Sequence, residues 1–181
     1  MKKVLLKYGG LGVAVMVLFF SMEFLITSFS EMDMSTQELI GYLGIFVSLI
    51  FVFFGVRSYR DQHLNGSISF GKALWVGVLI ALIPAIAFGI YNVIYMLYIN
   101  PDFIDQYYSA MYADLANNYS GEELIQKQKE MESSKEMFSS PVLNFFLMTF
   151  TVLIIGFIIS VISALILRKK DHNSQLNAQN S

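Results

Sequence analysis

Few residues in this chain could do chemistry. The most conspicuous is Glu23, an acid inside the otherwise apolar run Tyr8–Phe29. Tyrosines aside, it is the only ionisable residue well within any long apolar run. At the rise of an α-helix, a position about seven residues from the end of such a run lies roughly 10 Å below the membrane surface. No Lys or Arg lies within the other runs to compensate its charge. Glu23 is therefore expected to be protonated at neutral pH and to donate a hydrogen bond inside a helical bundle. Partners at similar depth would be Asn92, Ser48, Thr149 and Thr151, with Asn92 the best placed. Such a carboxyl reads either as glue between helices, the commoner case, or as a proton-coupling group in a water-filled cavity.

Other chemistry is sparse. The two histidines, His63 and His172, fall outside the apolar runs, so no Ser–His pair can form within a span. The chain has no His-Glu-x-x-His, no P-loop and no glycine-rich dinucleotide fingerprint. Cysteine is absent, which excludes disulfides, thiolate metal sites, a cysteine nucleophile and lipid-modified cysteine. The acidic residues between Asp102 and Glu136 have no histidine beside them and no calcium-loop spacing. No catalytic residue, metal or cofactor is expected, and an enzyme is disfavoured.

The elements that hold these residues follow from composition. With 55% hydrophobic and 14% charged residues, the chain departs from soluble domains, in which about a quarter of residues are charged. A net charge of −2 gives no ground for a nucleic-acid partner. A bilayer crossing needs roughly 20 mainly apolar residues. Four stretches qualify, at about 8–29, 39–56, 73–99 and 142–167. The expected fold is an all-α membrane protein, a single domain over 1–170 with a polar, disordered tail over 171–181.

Basic residues set the expected direction, because they resist export. Lys2, Lys3, Lys7, Arg57, Arg60, Lys72, Arg168, Lys169 and Lys170 fall on one side, and Lys127, Lys129 and Lys135 on the other. Both termini and the middle connection are thus expected on the cytoplasmic side, with the long acidic loop outside. A competing reading makes 1–30 a cleaved signal peptide ending near Ser28-Phe29-Ser30. The long apolar run, Glu23 and the lack of Ala-x-Ala speak against it.

The connection after the second span runs Arg57 to Gly66 and turns at Asn65-Gly66, a dipeptide suited to positive φ. Ser58-Tyr59-Arg60-Asp61, followed by Gly66, Ile68 and Phe70-Gly71-Lys72-Ala73, resembles the motif of an uncharacterised bacterial membrane family, domain-of-unknown-function family 4199. The similarity extends over most of the chain, although members of that family commonly carry glycine where Asn65 stands here. The resemblance implies a four-span membrane protein and supplies no activity. Arg57, Arg60, His63 and Lys72 could meet an anionic lipid head group or a protein partner, but topology and interfacial anchoring already account for them and are the stronger reading.

The loop over about 100–141 reads as two helices. Phe103, Tyr107, Met111 and Leu115 recur every fourth residue, with Ile104, Tyr108 and Tyr112 beside them, which makes an apolar and aromatic face. Ser120-Gly121-Glu122-Glu123 fits a capping box that opens a second, more polar helix, supported by a Glu123–Lys127 pair. The loop reads as an interfacial hairpin covering the helix ends, or as a lid over a ligand platform. In the third span Ala73, Gly77, Ala81, Ala85 and Gly89 form a shallow groove. Gly156, Ser160 and Ala164 in the fourth span, and Gly44 and Ser48 in the second, can pack closely against it. Pro84 is expected to kink the third span.

The bilayer is the one partner implied outright, and a membrane protein partner or a second copy is compatible with the pattern. The functional expectation is a structural or accessory component of the membrane, with a small proton-coupled transporter or channel using Glu23 as the alternative. Single cysteines at Ser67 and Ser174 should be labelled from the cytoplasm, and those at Ser35 and Ser120 from outside. Opposite sidedness of Ser67 and Ser174 would sink the topology.

Overall fold

In lipid, backbone N–H and C=O groups must be satisfied within the chain, so long apolar runs fold as helices. The structure, a computed structural model, describes residues 1–29 and 34–169, without the side chains of residues 23, 27–29 and 34. The elements are α1 (Lys2–Phe29), α2 (Met34–His63), α3 (Phe70–Ile94) with a π-helical turn (Tyr95–Ile99), α4 (Phe103–Asn118), α5 (Gly121–Ser139) and α6 (Pro141–Leu167). Four of them, α1, α2, α3 with its π turn, and α6, are long and apolar enough to cross a membrane. The protein is therefore an all-α membrane protein, with the α4–α5 hairpin inserted before its last span. Lys170 and the tail 171–181 lie outside the described residues.

Helix α2 runs further than its apolar stretch, through Arg57, Tyr59 and Arg60 to His63. Arg57 and Asp61 approach to 3.8 Å one turn apart, and basic residues at a helix C-terminus suit its dipole. The chain then turns through Asn65 (φ 49°) and Gly66 (φ 83°). Both lie in the left-handed region, where Asn and Gly are the least strained residues. Beyond the turn, Ile68 exchanges two backbone hydrogen bonds, of 3.1 and 3.0 Å, with Lys169 after α6. This isolated antiparallel bridge is the one β-type pairing among the described residues.

Helix α3 touches all three other spanning helices and packs most extensively on α6. The reason is side-chain size. A Cβ added to Gly77 would lie 2.7 Å from Ser160 Oγ, and one added to Gly156 would lie 2.6 Å from Ala81 Cβ. Gly89 faces Thr149 and Phe145 with equally little room. Ala73, Ala81, Ala85, Ser160 and Ala164 are fully buried. Around this seam lie Leu49, Val52, Val56, Val76, Ile80 and Val152, each at most 1% exposed. Helix α3 continues through Pro84, whose ring is buried and sits 3.6 Å from the point a Gly12 Cβ would occupy on α1. Gly44 of α2 does not join the seam with α3, because its open face is filled by the Phe19 ring of α1.

The hairpin differs from its expected local chemistry at one point. Helix α5 does begin after Ser120, but Ser120 makes no side-chain cap bond. Gly121 adopts φ 62°, so the first turn is entered through a left-handed residue that alters the spacing a capping box needs. Lys127 makes no ion pair among the described residues and lies over the Tyr119 ring instead, 4.5 Å from its centre.

Replacing Gly77 or Ala81 by Leu should lower the melting temperature in detergent, since overpacking a close helix contact costs about 1–3 kcal/mol. Leu18→Ala, at a side chain 65% exposed, should leave it unchanged. Wild-type stability in both seam variants would show that the contact between α3 and α6 does not hold the bundle together.

Candidate functional site

At the hairpin end of the bundle, every helix contributes to the wall of one cavity of about 710 Å³. From the bundle come Phe20 on α1, Glu38 and Ile45 on α2, Phe88 and Asn92 on α3, and Asn144, Met148 and Thr151 on α6. The π turn adds Tyr95 and Met96. A π turn closes i→i+5 bonds, here Asn100 N–H to Tyr95 C=O at 2.9 Å, and such turns recur at functional sites. The α4 face Phe103, Ile104, Tyr107, Tyr108, Met111 and Leu115 closes the cavity from one side, and Lys127, Glu130, Met131, Ser134 and Phe138 of α5 from another. The aromatic face legible in the sequence is therefore turned onto the chamber, and Tyr108 is 5% exposed.

Four polar contacts hold the hairpin in place. Lys135 Nζ lies 2.8 Å from Asp105 Oδ1, and the Tyr112 hydroxyl donates to Glu132 at 2.5 Å; both tie α4 to α5. The Tyr107 hydroxyl donates to Glu38 at 2.7 Å and ties α4 to α2. Asn144 Nδ2 donates to the Phe138 carbonyl at 3.3 Å and ties α6 to the end of α5. Partial burial, then the hydrogen bond to Glu38, pushes the Tyr107 phenol up to about 12. The Glu132 hydrogen bond pushes the Tyr112 phenol up to about 12 as well. Both hydroxyls thus remain protonated donors at neutral pH, and the Asp105 contact likewise raises Lys135 and keeps it charged.

Among the described residues, the expected intramembrane polar side chains Asn92, Ser48, Thr149 and Thr151 make no hydrogen bond to one another. Asn92 and Thr151 share the chamber wall, but Asn92 Nδ2 donates to the Phe88 carbonyl on its own helix at 3.1 Å. The Thr151 hydroxyl likewise donates to Leu147 at 2.9 Å. Ser48 is buried beside Gly12, and Thr149 lies against Gly89; neither hydroxyl has a hydrogen-bond partner among the described residues. Glu23 stands on α1 three residues after Phe20, and its side chain lies outside the described residues.

The motif residues gather at the opposite end. Arg60 donates to Asp61 at 2.7 Å and to the Leu167 carbonyl at 3.4 Å, which satisfies a carbonyl that the end of α6 leaves open. Tyr59 is buried and stacks on His63, 5.1 Å between ring centres. Ser58 is half-buried, while Phe70, Gly71 and Lys72 are exposed at the start of α3. These residues make a joint between α2, the turn and α6.

Sequence reasoning missed Glu38, Glu130, Asn144 and the methionines Met96, Met131 and Met148 of the chamber. Their only available signal was membership of helices whose ends the hairpin must cover.

Comparison with curated proteins and with solved structures finds no match to this chain. A family model does match, over residues 7–169, from the last basic residue before the first apolar run to the Lys169 that pairs with Ile68. The chain belongs to the family described as "Protein of unknown function (DUF4199)".

Proposed function

We propose that this protein is an accessory component of the bacterial inner membrane that works by binding: it holds a partly apolar molecule in the chamber beneath the α4–α5 hairpin. The observation that carries this reading is the 710 Å³ cavity, walled by all six helices and rich in aromatic and methionine side chains. Its size and lining fall in the range of small-molecule sites, commonly about 300–1,000 Å³ and mainly apolar. In this reading the termini and the Arg60 joint face the cytoplasm and the chamber lies on the outer side, as the placement of basic residues favours. The bilayer meets the exposed apolar side chains of α1, such as Val17, Leu18 and Leu25, and a membrane protein partner or second copy would approach over that same surface.

Below the chamber, Leu49, Val52, Ile80 and Val152 fill the bundle interior and are at most 1% exposed. A chamber with a packed floor favours binding over conduction. The alternative is a proton-coupled carrier, in which Glu23, one turn along α1 from the chamber residue Phe20, would relay protons past this floor.

Photo-crosslinking in cells tests the reading. A benzophenone amino acid at Met111 or Met131 should yield an adduct of one molecular species, whereas at Trp75, 60% exposed, it should yield mixed phospholipids. The same lipid mixture at all three positions would refute a specific chamber. Glu23→Gln should leave the chamber adduct unchanged and abolish no proton flux in proteoliposomes. Loss of a wild-type flux in that variant would put the carrier reading in its place.

A further inference from the structure

Two carboxylates, Glu38 and Glu130, stand at exposed positions on the chamber wall. Glu38 accepts from the Tyr107 hydroxyl and Glu130 from Gln126 Nε2 at 3.2 Å, but neither is ion-paired among the described residues. The single cationic residue of the wall, Lys127, lies over the ring of Tyr119, which is not part of the wall. The same wall carries the rings of Phe20, Phe88, Tyr95, Phe103, Tyr107 and Tyr108. They fall into two groups: Phe20 lies 5.3 Å from Phe88, while Tyr95, Phe103, Tyr107 and Tyr108 follow one another at 5.5, 6.1 and 5.6 Å.

Aromatic faces carry negative quadrupoles that attract cations, and more strongly away from water. Asn144 also lines the chamber; it is 3% exposed, and its Oδ1, itself buried, makes no hydrogen bond among the described residues. A neutral apolar guest would use the rings and leave the carboxylates idle; an anion would be opposed by both.

We infer that the chamber is selective for lipophilic organic cations, held by the aromatic wall with Glu38 and Glu130 as the charge partners. This rests on the reading of the chamber as a binding site and adds the class of ligand. Unbranched methionine side chains in the wall suit guests of varied outline. A smaller cavity of about 160 Å³ shares Phe20, Glu38 and Tyr107 with the chamber and extends to Phe24, which is 46% exposed on α1. It offers such a molecule a lateral path from the bilayer, where lipophilic ions concentrate.

The test uses two ions of nearly equal shape and opposite charge, radiolabelled tetraphenylphosphonium and tetraphenylborate, with the full chain purified in detergent. The wild-type protein should bind the phosphonium saturably, and the borate at least about tenfold more weakly. Glu38→Gln keeps an acceptor for Tyr107. It and Glu130→Gln should each weaken phosphonium binding by about twofold to fivefold, the span of an exposed ion pair, with no effect on borate. The comparison of the two ions in wild type needs no variant, so it stands even if a substitution impairs folding. Equal binding of both ions overturns the inference and leaves the chamber reading intact. Binding of neither ion, with the Met111 adduct still formed, overturns it in favour of another ligand class. Absence of both binding and adduct overturns the two readings together.

Discussion

The bundle depends on how closely two helices can approach. Lipid tails are as apolar as leucine, so apolar surface alone does not drive helices together in a membrane, and association relies on van der Waals contact. In this protein that contact is deepest where α3 meets α6, at Gly77 against Ser160 and Gly156 against Ala81. Each pair lacks room for even a methyl group. Once those backbones are in contact, α2 covers one side of the seam with Leu49, whose Cδ2 lies 3.6 Å from the point a Gly156 Cβ would take. Helix α1 packs against α2 and α3.

Within the spans, the hydrogen bonds of several polar side chains among the described residues stay on their own helix. Ser160 and Ser163 donate to carbonyls one turn back on their own helix, at 2.6 and 2.7 Å, and Thr151 and Asn92 do likewise. Such bonds make a polar residue tolerable in lipid without joining one helix to another. Ser48 and Thr149 make no side-chain hydrogen bond among the described residues.

The two ends of the bundle are finished differently. At one end Arg60, the left-handed Asn65-Gly66 turn and the Ile68–Lys169 bridge bind α2, α3 and α6 into a joint. At the other, the hairpin rests on the bundle through Tyr107–Glu38 and Asn144–Phe138, with a chamber between. The jointed end is the one that fixes α2, α3 and α6 to one another through the backbone, and the hairpin end is held through side chains.

Much of this was legible in the amino-acid sequence, because the relevant physics is local. Run length and apolarity determine spanning helices, a four-residue spacing of Ala and Gly determines a groove, and Asn-Gly determines a tight left-handed turn. The aromatic face of α4 was visible for the same reason. What that face covers was not, since Glu38, Asn92, Asn144 and Glu130 lie far apart in the chain and meet only when four helix ends and a hairpin come together. The two roles of Arg60, to Asp61 beside it and to Leu167 more than a hundred residues on, divide in the same way. Local spacing decides which elements form and which of their faces are apolar; only the tertiary structure decides which faces meet, and whether they meet flush, as at Gly77, or around a space, as at Tyr107.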